Sequence, residues 1–210
     1  MSEDLAPNEV VVTAYIELRE RVVALVRSLP EDRGDVIVPA CPNWTARQLI
    51  AHMVGVPEDI ITGNMDGVTT RAWTDAQVTR HEGKSLQELA DSYEATGQVF
   101  DEVLPRISEP VNSQMVMDAV THEHDLREAL GEQGARDSAA VDVALAWLRY
   151  AFGARFSTLL ADPFAVDGVD SYELFRSLTG RRSAAEMDAL GLDGSGIAAI
   201  LVGTPLGPGV

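Results

Sequence analysis

Two histidines and one aspartate have the residue types and the spacing of a metal site. Asp118 and His122 are four residues apart, so in a helix their side chains lie about one turn apart on one face. Apolar residues at helical spacing place His122 on an inward face, and His52, between Leu49 and Val56, faces inward on another helix. Imidazole nitrogens and carboxylate oxygens bind zinc, and three such ligands leave a coordination position for substrate. The pattern predicts a catalytic metal site, with hydrogen-bonded core histidines as the alternative.

The other histidines and charged residues near these motifs carry weaker signals. We expect His81 to be solvated in a loop and His124 to lie on the outer face of its helix. Asp125 can hydrogen-bond a ligand histidine from outside the coordination shell, or it can be a surface carboxylate. Arg181 and Arg182 can bind a substrate carboxylate in a bidentate manner, or they can belong to a solvated turn.

Charge and cysteine content exclude several functions. The 210 residues contain 33 Asp and Glu against 16 Lys and Arg, a formal charge of −17, which argues against nucleic acid or an anionic membrane as a partner. The single cysteine, Cys41, cannot form an internal disulfide, and we interpret it as structural because no His or Lys is near it in the sequence.

Residues 1–18 contain no Lys or Arg, unlike a secretory signal. The chain is therefore expected to be cytoplasmic.

The elements that must position these residues are helices. Apolar residues recur at helical spacing and predict a mainly all-α protein, with long helices over 8–28, 44–65, 85–104, 112–130 and 138–160. Pro57 is expected to kink the second helix, or to end and restart it. Residues 66–84 are interpreted as a long loop, and the tail after Gly191 as Gly- and Pro-rich. We expect a helical bundle over 1–165 and a short α-helical extension over 166–210 that contains a Gly-Arg-Arg-Ser turn.

Three stretches resemble one known family. Residues 39–52, Pro-Ala-Cys-Pro-Asn-Trp-Thr-Ala-Arg-Gln-Leu-Ile-Ala-His, are similar to the opening C-P-G-W-T-x-x-D-L-x-A-H of the mycothiol-dependent maleylpyruvate isomerase family. Residues 118–131, Asp-Ala-Val-Thr-His-Glu-His-Asp-Leu-Arg-Glu-Ala-Leu-Gly, resemble its E-x-x-x-H-x-x-D-x-R-x-A-L-G. Residues 173–183, Glu-Leu-Phe-Arg-Ser-Leu-Thr-Gly-Arg-Arg-Ser, resemble its E-L-L-R-x-L-x-G-R-R-S. The three stretches keep their order and span most of the chain.

The resemblance implies a DinB-like four-helix bundle that holds a divalent metal, usually zinc. Carried over residue by residue, the ligands are His52, Asp118 and His122. Two departures stand out: the family has Glu where this chain has Asp118, which is shorter by one methylene, and Gly where this chain has Asn43. The shorter side chain requires a closer helix, a bridging water or a weakly held metal, because metal–oxygen distances near 2.0–2.2 Å leave little slack.

The resemblance also implies a reaction. The thiol of mycothiol, a low-molecular-weight co-substrate, would add to a small electrophile such as maleylpyruvate, and its expulsion after bond rotation would give the trans isomer. With other electrophiles the thiol stays attached, which makes the protein an S-transferase. The competing interpretation is a non-catalytic metal- or ligand-binding bundle, able to form a homodimer through an outer helix face, that has lost turnover.

Overall fold

Helices account for most of the computed structural model, which describes residues 5–207, and the all-α prediction is confirmed. In chain order the helices are α1 (Asn8–Ser28), α2 (Ala46–Thr62), α3 (Arg71–Arg80), α4 (Leu86–Val103), α5 (Val111–Leu130), α6 (Ala139–Phe156), α7 (Ser171–Leu178), α8 (Ala184–Ala189) and α9 (Gly194–Leu201). Between α1 and α2 a small antiparallel hairpin pairs β1 (Ile37–Val38) with β2 (Cys41–Thr45). Over residues 5–207, no helix combines the length and the apolar character needed to cross a membrane.

Side-chain caps fix the start of several helices where the sequence predicts them. The hydroxyl of Thr45 accepts a hydrogen bond from the Gln48 backbone, and the Gln48 side chain accepts one from the Thr45 backbone. The same reciprocal capping box begins α4 at Ser85 and α8 at Ser183. Ser138 differs: it precedes α6, but its hydroxyl makes no capping bond.

The predicted long loop over 66–84 is wrong, because residues 71–80 form α3. Its start is capped by the hydroxyl of Thr70, which accepts from the Trp73 backbone at 3.4 Å. Trp73 and Gln77, one turn apart, are buried. Only these two positions of α3 are buried, so its sequence lacks the repeated apolar residues that predict a helix.

Two further differences concern helix ends and breaks. Pro57 lies inside α2, which continues to Thr62, so of the two alternatives for this residue the end and restart is wrong. The Gly- and Pro-rich tail contains α9, whose first turn is capped by the Asp193 side chain, which accepts from the Gly196 backbone at 2.9 Å. The glycine and proline residues after Gly191 suggested irregular structure. A capped helix start and buried apolar residues such as Ile197 favour a helix instead.

The described chain divides into two compact units. The first unit contains the chain through Val11, residues 109–121, and the chain from residue 134 on. The second unit contains residues 12–108 and 122–133, so α1 and α5 each contribute to both. The boundary at residue 165 stays a prediction.

The core of the second unit is built by the inward faces of α1, α2 and α4. Tyr15 on α1 packs against Phe100 on α4, with ring centroids 5.2 Å apart. Next to this pair the Arg19 guanidinium binds the carboxylate of Asp101, with Nη2 3.0 Å from Oδ2. A Cβ at Gly97 would collide with that guanidinium, so glycine is needed where Arg19 crosses α4.

The first unit has an aromatic core around α6. Phe156 is fully buried, and its ring centroid lies 5.9 Å from Phe152 and 6.0 Å from Phe164. Trp147 extends the cluster at 6.1 Å from Phe152. The Arg149 guanidinium lies 4.5 Å from the centroid of the Phe164 ring and covers it.

Candidate metal centre

His52 and His122 lie side by side in the second unit. Their ring centroids are 5.0 Å apart with an interplanar angle of 87°, and one ring nitrogen of each lies within 4.8 Å of the other. His52 is 5% exposed and the His122 side chain 12%, so both histidines face inward as their spacing predicts. Helix α2 positions the first ring and α5 the second.

Trp44 lines the same pair of histidines. Its ring centroid is 5.3 Å from that of His52 and 6.4 Å from that of His122. Trp44 is half-buried. Because Trp44 directly precedes the capping residue Thr45, the capping box that begins α2 also fixes the backbone that carries the indole.

Asp118 precedes His122 by one turn on the same helix. Helix α5 is continuous from Val111 to Leu130, so its geometry alone places the Asp118 carboxylate on the His122 side of the helix. Asp118 is half-buried and belongs to the stretch of α5 assigned to the first unit. Its role as a third ligand stays a prediction.

The chemistry of the histidine pair fits a metal ion. Two nitrogen ligands at about 2.0–2.1 Å from a tetrahedral ion lie roughly 3.4 Å apart. The ring nitrogens of His52 and His122 are within 4.8 Å of each other, so small side-chain rotations suffice to bring them onto one ion. Imidazole suits zinc and several other divalent metals.

A second group of potential ligands shares His122. Cys41, His122 and Asp125 each offer one ligand atom, and these atoms lie within 4.8 Å of one another. The Asp125 Oδ2 atom is 3.4 Å from His122 Nδ1 and 4.0 Å from Cys41 Sγ. Asp125 is fully buried, which rules out the surface alternative for this carboxylate. Buried groups of His, Cys and Asp in this unit can therefore hold a metal ion.

The surroundings of Cys41 correct a sequence expectation. The sequence shows no histidine near Cys41, yet the fold brings His122 and Asp125 to it from α5. The residues that do this are far apart in the chain, and Cys41 lies on β2 of the short hairpin. No local motif carries this contact.

A chain of buried hydrogen bonds leads away from His52. Gln77 Oε1 lies 2.7 Å from His52 Nδ1, and Gln77 Nε2 donates to Asp59 Oδ2 at 2.7 Å. Asp59 also accepts from Asn64 Nδ2 at 2.9 Å and pairs with the Arg80 guanidinium. Gln77 is fully buried and Asp59 is 1% exposed. Sequence reasoning missed this chain because residues 66–84 were expected to be a loop.

His81 is buried rather than solvated, so that prediction is wrong. It ends α3, and its Nε2 lies 3.0 Å from Glu58 Oε2. Burial raises the pKa of the Glu58 carboxyl, but hydrogen bonds and charge from His81 and Arg80 outweigh it, so the pKa lies below its usual value. The side chain that was expected in solvent instead helps to join α3 to α2.

His124 is also buried, at 2% exposure, although an outward face was predicted for it. The prediction for His124 fails because consecutive residues of α5, Glu123 to Leu126, are all buried. An amphipathic surface helix, by contrast, buries only one face. Its neighbour Glu123 is fully buried and accepts two hydrogen bonds from Arg21, at 3.1 and 2.9 Å. Arg127 adds two more at 3.1 and 2.9 Å.

Arg181 and Arg182 lie in the first unit and are half-buried. Arg182 Nε and Nη2 donate to the two oxygens of Glu173 at 2.7 and 3.2 Å. Bidentate carboxylate binding thus occurs at Arg182, with a carboxylate of the chain itself. A role for the two arginines as a substrate clamp stays a prediction.

Comparison with known proteins adds no relative: no family model, no curated protein and no solved structure gives a significant match. The family resemblance therefore rests on the three sequence motifs.

Proposed function

We propose that this protein binds one divalent metal ion, zinc by preference, through His52 and His122, with Asp118 as a third ligand. The observation that carries the proposal is the pair of inward-facing histidines, 5.0 Å apart between ring centroids, from two different helices. The family resemblance independently selects the same two residues and adds Asp118. We further propose that the co-substrate is a low-molecular-weight thiol, mycothiol in the family that the sequence resembles, and that the protein acts in the cytoplasm.

The chain's own residues provide the binding and orientation that such chemistry needs. A bound divalent metal would supply a Lewis acid that lowers the pKa of a thiol. Trp44 lies beside both imidazoles, with ring centroids at 5.3 and 6.4 Å, and provides an apolar wall next to the pair. Asp125, whose Oδ2 lies 3.4 Å from His122 Nδ1, is proposed to orient that ring from outside the coordination shell. Arg181 and Arg182 are proposed to bind a substrate carboxylate.

Two reactions are consistent with this site. Addition of a thiolate to the double bond of a maleylpyruvate-type substrate, rotation and expulsion of the same thiolate would isomerise the substrate without net consumption of thiol. Addition to an electrophile that keeps the sulfur would make the protein a thiol S-transferase. Turnover assays with mycothiol and a panel of electrophiles distinguish the two by whether the thiol is consumed.

A second candidate function is a metal-binding protein without turnover. It is favoured by the group formed by Cys41, His122 and Asp125, whose ligand atoms lie within 4.8 Å of one another. In that group the protein itself would supply the metal-bound sulfur, whereas the proposed reaction needs the sulfur of a thiol co-substrate. The short side chain of Asp118 favours the same alternative.

Metal analysis tests the proposal directly. Protein purified without a histidine tag is expected to bind about one zinc ion per chain. His52→Ala and His122→Ala are each expected to weaken zinc binding more than about 100-fold, beyond the loss typical of outer-sphere residues. His81→Ala is the control for loss of a buried histidine of the same unit, and it should weaken zinc binding far less than either ligand variant. Absence of zinc binding by the wild-type chain would exclude both metal-dependent functions.

Cobalt substitution separates the two ligand groups. If Asp118 is the third ligand, Asp118→Asn weakens binding, Cys41→Ser does not, and the cobalt protein shows no thiolate-to-metal absorption. If the Cys41 group holds the metal, Cys41→Ser weakens binding and the wild-type cobalt protein shows that absorption. The second outcome would place the metal in the Cys41 group and overturn the proposed catalytic site.

A further inference from the structure

The hydrogen bonds behind His52 have only one chemically allowed direction. Asp59 pairs with the Arg80 guanidinium and accepts from Asn64. An ionised carboxylate accepts hydrogen bonds and donates none. The Gln77 amide group that faces Asp59 Oδ2 at 2.7 Å must therefore be its NH2 group, because a flipped amide would place two acceptor oxygens together.

The orientation of Gln77 then determines the proton position on His52. With its NH2 directed to Asp59, Gln77 presents Oε1 to His52 Nδ1 at 2.7 Å. A carbonyl oxygen only accepts, so Nδ1 must carry a hydrogen. In a neutral imidazole the lone pair available to a metal is then on Nε2.

We propose that Gln77 is a positioning residue: oriented by Asp59, it holds His52 in the Nδ1–H tautomer and thereby presents Nε2 as the metal-binding atom. The metal-binding part of this statement rests on the proposed function, whereas the tautomer is a property of the metal-free chain. Gln77 does not touch the metal or the substrate. It acts through His52.

The packing of α3 on α2 makes this arrangement rigid. A Cβ at Gly55 would lie 2.5 Å from the Gln77 Cβ atom, so a larger residue would push α3 away. The Trp73 indole donates to the Asn64 backbone oxygen at 3.0 Å and ties the start of α3 to the end of α2. The sequence therefore provides glycine where the Gln77 side chain must approach closest.

Nitrogen NMR of the metal-free protein tests the tautomer. At mildly alkaline pH, where an imidazole is neutral, uniformly ¹⁵N-labelled wild type is expected to show a protonated Nδ1 and an unprotonated Nε2 for His52. The His52 signals are assigned by their absence from the spectrum of His52→Ala. A wild-type spectrum with the proton on Nε2 would overturn the proposal.

Variants then test the role of Gln77. Gln77→Leu is expected to release the tautomer and to weaken zinc binding about 10–100-fold, the range for residues that orient a ligand histidine. Gln87→Leu, the same change at an exposed position of α4, should alter neither property. An unchanged tautomer in folded Gln77→Leu would overturn the proposal.

A paired exchange provides a rescue that a merely structural role does not predict. In Asp59→Asn/Gln77→Glu the bond between residues 59 and 77 is reversed, because the new Asn donates to the new Glu, but the other Glu oxygen still accepts from His52 Nδ1. This variant is expected to retain the Nδ1–H tautomer, and a folded double variant with the proton on Nε2 would overturn the proposal even if Gln77→Leu fails to fold. The expected tautomer in a wild type that binds no zinc would support the role of Gln77 in the tautomer and overturn the metal site.

Discussion

The α2–α3 pair of the second unit and the cluster around α6 of the first unit are both buried, but they are built from different chemistry. Between α2 and α3 the interior contains imidazole, amide and carboxylate groups of His52, Gln77 and Asp59, joined by hydrogen bonds. Around α6 the buried side chains are apolar, and the rings of Phe152 and Phe164 pack on the fully buried Phe156. Burial alone stabilises the aromatic cluster. Each polar group between α2 and α3 must instead form a hydrogen bond, because an unpaired buried polar group carries a desolvation penalty.

This difference separates a region built for stability from one built for orientation. An aromatic ring tolerates many neighbours of suitable shape, so the cluster around Phe156 specifies volume. The hydrogen-bonded chain from Asp59 to His52 specifies direction, because each member must donate or accept in one way only. Such a chain stabilises a particular proton position on His52, which apolar packing cannot do.

The largest expected effect tests the aromatic region. Phe156→Ala should lower the free energy of unfolding by about 3–5 kcal/mol, because it removes a large buried side chain and leaves a cavity. Denaturant unfolding measures this loss. Tyr150→Ala on the same helix is the control, since Tyr150 is 41% exposed and should cost far less. Zinc affinity of the folded Phe156→Ala variant should be unchanged, and a loss of affinity equal to that of His52→Ala would remove the distinction between the two regions.

A smaller effect is expected at the start of α2, which carries His52. Thr45→Ala removes the hydroxyl that caps Gln48 and should cost about 1 kcal/mol of unfolding free energy. Thr13→Ala, at an exposed position within α1, is the matched control and should cost little, because alanine is the better helix former. Equal losses in the two variants would show that the cap contributes nothing to the α2–α3 region.

The smallest effect concerns acid. The pKa of Glu58 is lowered in the folded protein, so its contribution to stability is present above about pH 4.5, the ordinary value for glutamate, and is lost as the pH falls through the folded pKa. Glu58→Gln should therefore cost about 1 kcal/mol or less at neutral pH, and the difference from wild type should shrink on acidification.

Urea unfolding at several pH values measures this difference. The exposed Glu102 provides the control as Glu102→Gln. A difference between wild type and Glu58→Gln that grows as the pH falls would contradict the assigned contacts with His81 and Arg80.

Part of the candidate site could be predicted because it depends on helical periodicity alone. The inward faces of His52 and His122 follow from apolar neighbours at helical spacing, and Asp118 follows His122 around one continuous helix. The same rule failed for His124, and His81, which was expected in a solvated loop, is buried as well. Those positions are covered by segments distant in the chain, and periodicity within one helix does not record them.

Other parts of the site carry no local signal at all. Gln77 belongs to a helix with few apolar residues, and its function depends on Asp59, which lies eighteen positions earlier in the sequence. Cys41 reaches Asp125 only because the hairpin brings β2 to α5. Both contacts are between side chains far apart in the chain, and their sequence neighbours do not differ from ordinary surface or turn residues.

The amino-acid sequence by itself determined the helical class, most helix bounds and caps, and the two histidines that face inward, because these depend on interactions within about four residues. The tertiary structure decided which polar groups those histidines meet: Gln77 behind His52, and Asp125 with Cys41 beside His122. The physical reason is that a buried polar group must find a partner wherever the fold provides one. The direction of those hydrogen bonds, and with it the proton position on His52, exists only once α3 has packed on α2.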